Sequence, residues 1–178
     1  MKKIALSFVS VLMLLILGGC SSLLNKGPTI DDLKKTSGVM MVAESSYVGI
    51  VTKDDYIEST VYTVNFDGSM TAVRTYHNSG VFTTTETLTD DDLMLLFSSC
   101  NKMSENRDDI DNYQVDLAGN IPKWKITFYN DKHPNGINIA NGVYAGGHQL
   151  FDIITGVLEY YVRDDLFTNS QGVEVQSR

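Results

Sequence analysis

The sequence predicts an α+β domain: an antiparallel sheet of about five strands with two main helices packed on one face. Three observations carry that expectation. From Tyr47 to Leu88 the chain is dense in β-branched and aromatic residues, and turn pairs interrupt it at strand-length intervals. Two later segments, opening at Thr89 and near His148, change to apolar residues at helical spacing. Between them lies a further pair of segments with strand alternation. At 178 residues, 43% hydrophobic and 20% charged, the chain has the size and composition of one globular domain rather than two, or of a disordered polymer.

The first segment is read as targeting sequence, not fold. Lys2 and Lys3 precede an uncharged run from Ile4 to Leu17, which is 14 residues long. As a helix it would reach about 21 Å, short of the roughly 30 Å hydrocarbon core. Two lysines before such a run suit a signal peptide. Gly18, Gly19 and Cys20 follow. The segment Leu17-Gly18-Gly19-Cys20 resembles the lipobox of bacterial lipoprotein precursors, and the resemblance covers the first 22 residues. It implies cleavage before Cys20 and a diacylglyceryl group on the Cys20 thiol. Two acyl chains hold a protein stably at a membrane where one does not. The expected organisation is therefore a signal peptide over 1–19, a lipidated tether over 20–28, one α+β domain over 29–167 and a polar tail over 168–178.

Within the domain, Thr29 with Asp32 three residues on reads as the start of a short helix that Gly38 ends. Val39–Ala43 is an apolar run too short for periodicity to tell strand from helix. Ile57–Phe66 and Ser69–His77 flank Asp67-Gly68, a strong two-residue hairpin signal. Asn78-Ser79-Gly80 makes the next turn, and Val81–Leu88 the third strand. Thr89 then caps a helix of about 14 residues whose stripe is Leu93, Leu96, Phe97 and Cys100, with Met103 beyond. Asp90, Asp91 and Asp92 sit where the positive end of the helix dipole favours acids.

Ser104–Asn112 reads as a polar loop. Trp124, Ile126 and Phe128 alternate with Lys123, Lys125 and Thr127, giving a strand with one dry and one wet face. Asn130–Gly136, with Asn135-Gly136 at its end, reads as the turn into a returning strand. Gly146-Gly147 breaks the chain before a second strong helix carrying Leu150, Ile153, Ile154, Val157, Leu158 and Tyr161. Hairpin followed by helix thus occurs twice, over Val61–Met103 and Trp124–Val162, with Phe66 and Phe128 ending the first strand of each. Either a duplicated unit or the common way of covering one sheet face produces this order.

Charge narrows the function classes. The full chain carries −8; removing residues 1–19 takes away Lys2 and Lys3 and no acid, which leaves 12 basic against 22 acidic residues, a net −10. A chain this acidic lacks the basic footprint of a nucleic-acid binder. Catalytic signatures are absent from the spacing. His77, His133 and His148 form no metal-ligand pattern, and the two cysteines form no C-x-x-C. The glycines at 142, 146 and 147 lack the lysine of a phosphate loop. The stretch from Asp131 fails as a calcium loop, because its twelfth position is Gly142. No metal or cofactor is expected. Cys100, in the apolar stripe, reads as a core residue.

The sequence-level expectation is a membrane-anchored extracytoplasmic lipoprotein, held on the cell membrane or outer membrane through lipid on Cys20. It would bind a protein, peptide or glycan and perform no chemistry. Tyr62, Tyr76, Trp124 and Tyr129 fall on strands, and the favoured reading is that these rings pack the sheet or sit at element ends; the other is an aromatic strip on the helix-free sheet face that would form the binding surface. The alternative is a small extracytoplasmic hydrolase or thiol-dependent enzyme using Cys100 with a histidine.

Overall fold

Thr29 caps the first described helix with the capping box its sequence implies: its hydroxyl accepts from Asp32 N–H, and its own N–H donates to Asp32 Oδ2 at 3.0 Å. In the computed structural model, which describes residues 27–47, 55–115, 121–162 and 168–169, this cap starts α1 (Ile30–Lys35). Then follow β1 (Val39–Tyr47), β2 (Ile57–Asn65), β3 (Ser69–Tyr76), β4 (Gly80–Thr87), α2 (Asp90–Glu105) and α3 (Arg107–Asp111). The chain closes with β5 (Pro122–Asn130), β6 (His133–Val143), α4 (Gln149–Tyr161) and a two-residue β7 (Thr168–Asn169). The expected signal peptide, Cys20, most of the tether and residues 170–178 of the tail lie outside the described residues.

Among the described residues, one antiparallel sheet holds every strand, in the order β6-β5-β1-β2-β3-β4-β7. The architecture is α+β as expected, with six long strands and a short seventh. The ambiguous run Val39–Ala43 is the start of β1, at the sheet's centre. Met41 pairs with Val64 on one side and Phe128 on the other; Ala43 pairs with Tyr62 and Ile126. All six are buried on the face that carries the helices. Leu93, Leu96, Cys100 and Met103 of α2 and Phe151, Ile154 and Leu158 of α4 supply the other half of that core. Each large apolar side chain buried this way contributes about 1.5–3 kcal/mol. Among the described residues, no helix covers the opposite face. There Val42, Val61, Thr63, Thr71 and Val73 are half-buried, and Glu44 stands opposite Lys125.

Three local expectations are corrected. Ser104–Asn112 is not simply a loop: α2 runs to Glu105, and α3 follows at once, burying Ile110. The β5–β6 turn is Asp131-Lys132, closed by Asn130 Oδ1 accepting from His133 N–H at 2.8 Å, so Pro134 and Asn135-Gly136 lie inside β6. Pro134 is tolerated there because β6 is an edge strand. The sheet also reaches beyond residue 167, since Thr168 and Asn169 pair with Thr83 and Phe82.

Topology also decides how the two hairpin–helix units can correspond. β2 and β5 both run antiparallel to β1, on opposite sides of it, and their hairpins turn outward in opposite directions. With the helices on one face, matching β2–β3 to β5–β6 would need a mirror, which a chain of L-residues cannot supply. The pairing of Phe66 with Phe128 is therefore not a register of repetition. In strand order, β3–β4 and β5–β6 occupy places related by a half-turn about an axis normal to the sheet between β1 and β2.

Candidate functional site

The aromatic strip does not assemble. Tyr62 and Trp124 are 3% and 4% exposed and lie on the helix-covered face, with their rings stacked at 6.0 Å. Phe151 of α4 meets the indole edge-on at 6.1 Å. Burial, then the nearby Glu159, pushes the Tyr62 phenol up to about 12. Tyr76 shares that face, two residues from buried Arg74, and packs edge-on against Phe82. Tyr129 alone lies on the open face, where its ring covers Gly136. Strand alternation gave each ring a side relative to its neighbours, but only the helices decide which side is dry.

Cys100 is fully buried, its sulfur 3.9 Å from Met41 Sδ, and burial pushes its thiol well above the ordinary range. The histidines are occupied elsewhere. His77 stacks on Tyr56 and meets Glu58 Oε1 at 2.8 Å. His133 sits at the start of β6, far along the chain from Cys100, and its backbone N–H closes the β5–β6 turn. His148 is the N-cap of α4: its Nδ1 accepts from Phe151 N–H at 3.2 Å, and its Nε2 faces Asp109 Oδ2 at 3.4 Å. Among the described residues, no group of three or more His, Cys, Asp or Glu is placed to hold a metal ion.

The structure instead presents a groove between α2 and α4. These helices pack against each other. One hydroxyl ties the start of α2 to the end of α4: Tyr161 donates to Asp92 Oδ2 at 2.6 Å and accepts from Thr89 N–H at 3.0 Å. At the other end, His148 of the α4 cap faces Asp109 of α3. The groove on the outer side has a volume of about 250 Å³. Leu95 forms one wall, and Ile153, Val157 and Tyr160 form the other; Asp92 and Asp152 complete the lining. Leu95 is 42% exposed and Tyr160 76%. Gly156 lies between the α4 side chains, and a Cβ built on it would touch nothing within 4 Å.

These residues carried a partial sequence signal. Tyr160 and Tyr161 are adjacent on a helix, so one ring must face outward. A glycine within an otherwise apolar helix costs about 1 kcal/mol relative to alanine, so it marks a place where a side chain is missing. Leu95 gave no signal beyond standing next to the stripe.

The hydroxyls of Thr89, then Tyr161, hold the Asp92 carboxyl below the usual carboxylate range. With its folded value depressed, Asp92 contributes stability that is fully present above about pH 3.9 and is lost as pH falls through the folded value. Tyr161→Phe should raise the Asp92 value in a carboxyl-carbon NMR titration and cost about 0.5–1.5 kcal/mol in urea unfolding. An unmoved Asp92 titration would show that the bridge is not formed in solution.

Comparison with protein-family models, with curated proteins and with solved structures finds no match to this chain. Among the described residues, no helix is long and apolar enough to cross a membrane.

Proposed function

We propose that the chain is a lipid-anchored extracytoplasmic protein that serves as a non-catalytic binding module. The observation that carries the anchor is the ordered run of Lys2-Lys3, fourteen uncharged residues and Leu17-Gly18-Gly19-Cys20. Lipid on Cys20 would hold the domain through the short tether that ends at Thr29, on the cell membrane or the outer membrane. The binding role is supported by the exposed apolar groove between α2 and α4, a more coherent surface than the dispersed aromatic residues. A thiol mechanism finds no support, because Cys100 has no solvent access. The fold reading that belongs with this proposal is a duplicated unit, in which β3–β4–α2 and β5–β6–α4 are the two copies.

Cys20→Ser removes the thioether site. In cells producing the full chain, the wild-type protein is expected in the membrane fraction and the variant in the soluble extracytoplasmic fraction. Retention of the variant at the membrane, with an unchanged mass, overturns the anchor.

A further inference from the structure

We propose that the groove between α2 and α4 is the docking site for a basic amphipathic helix of a partner protein. The inference deepens the binding-module reading and does not depend on the anchor.

Shape and size come first. The groove of about 250 Å³ lies below the roughly 300–1,000 Å³ of small-molecule sites, but it suits the anchor side chains of a docked segment. Its walls are helices, whose backbone groups are already bonded internally. An extended strand laid there would find no partners for its own N–H and C=O groups. A helix brings its backbone bonds with it and offers ridges to the groove. Gly156 then has a role, since the missing side chain lets a neighbouring helix approach α4 closely.

Charge selects the occupant. Asp92 and Asp152 line the groove, and Asp91 stands beside Asp92 in the first turn of α2, whereas Asp90 is already paired with Lys34 of α1. α4 contributes Asp152 and Glu159 and has no Lys or Arg. Asp92 is held ionised by Thr89 and Tyr161, while Asp152 accepts from Gly147 N–H at 3.0 Å. Both carboxylates are therefore held in place at the groove, where a partner's cations can reach them. A second copy of this acidic chain would set these acids against each other, whereas Lys and Arg flanking an apolar stripe complement them.

The test uses the full chain carrying Cys20→Ser, purified without detergent. The probe is a fluorescein-labelled 16-residue helical peptide with Leu on one face and Lys on the other; its counterpart has Glu in place of every Lys. The Lys peptide is expected to bind at micromolar Kd, with anisotropy that falls as salt rises, and the Glu peptide at least tenfold more weakly. Gly156→Leu fills the groove from a position with open space around it, changes no charge and leaves melting intact. It is expected to weaken the Lys peptide at least tenfold. Leu95→Ser with Tyr160→Ser, at exposed positions, should do the same. Equal binding of the two peptides, undiminished binding to both variants, no binding, or a concentration-dependent dimer abolished by Gly156→Leu each overturns the proposal. Membrane release on Cys20→Ser is a separate readout, so failure of the anchor and failure of the groove are distinguished.

Discussion

Trp124→Ala is expected to destabilise the domain by about 3–5 kcal/mol, the range for deleting a buried large aromatic side chain. That corresponds to a fall of roughly 10 °C in melting temperature for a domain of this size. The indole is 4% exposed between the ring of Tyr62 and the edge of Phe151, so its loss removes contacts from both the sheet and α4. A cavity remains, because β5 is held on one side by β1 and on the other by β6 and cannot collapse inward. Urea unfolding measures the cost. The wild type carries its own control, since Trp124 is the sole tryptophan and its fluorescence reports burial of this one site. Tyr160→Ala, at 76% exposure, should stay within about 0.5 kcal/mol. Equal costs for the two would mean that the ring stack is not part of the core.

Gly136→Ala is expected to cost about 2–3 kcal/mol, for two separable reasons. The backbone has φ +80°, a conformation that alone costs an L-residue about 1–2 kcal/mol. A Cβ there would also stand 2.7 Å from Tyr129 Cε1 and 2.8 Å from Thr127 Cγ2. Gly80→Ala is the comparison. Its φ is +92°, but a Cβ meets nothing within 4 Å, so only the backbone cost of about 1–2 kcal/mol applies. The excess at position 136 measures how tightly Tyr129 lies over the strand, and Tyr129→Ser should remove part of it. If the two alanine variants cost the same, the tyrosine ring does not cover that glycine.

What was legible in the sequence was what neighbours in the chain decide. The hairpin expected at Asp67-Gly68 forms, but as a three-residue loop over 66–68 rather than a two-residue turn: Gly68 N–H donates to Asn65 O, Gly68 alone takes a positive φ, +90°, and Asp67 Oδ1 accepts from Ser69 N–H. Thr29 and Thr89 cap their helices through their own third residues. The stripe of α2 is buried where the 3.6-residue period puts it, with Phe97 half-buried at its margin; on α4 only Ile154 and Leu158 of the expected stripe are buried, joined by Phe151, while Ile153 and Val157 stand half-exposed at the groove. What was not legible depends on distant segments. Val39–Ala43 shows little alternation, because the two centre-strand neighbours and the overlying helices bury most of it. Asn135-Gly136 carries turn residues but sits in a strand, because the two-residue turn at Asp131-Lys132 sets the register first. The placement of Tyr62 and Trp124 beneath α4, and the exposure of Leu95 and Tyr160 beside it, follow from how the helices dock on the sheet. No local pattern encodes that docking, so the sequence left open whether these aromatic residues pack the sheet or form an exposed strip, and the groove was not expected.

The position of β1 has a consequence for the order in which the domain can assemble. β1 is the first described strand yet occupies the middle of the sheet, with β2 as an early neighbour and β5 as a late one. The meander β1–β4 can form from local contacts. Its inner edge, with Met41 and Ala43, then waits for Phe128 and Ile126 to arrive from the far end of the chain. Closing that long loop is entropically costly and rate-limiting in kind. A chain cut after α2 would present an unpaired, apolar central edge, which is an aggregation template rather than a smaller domain.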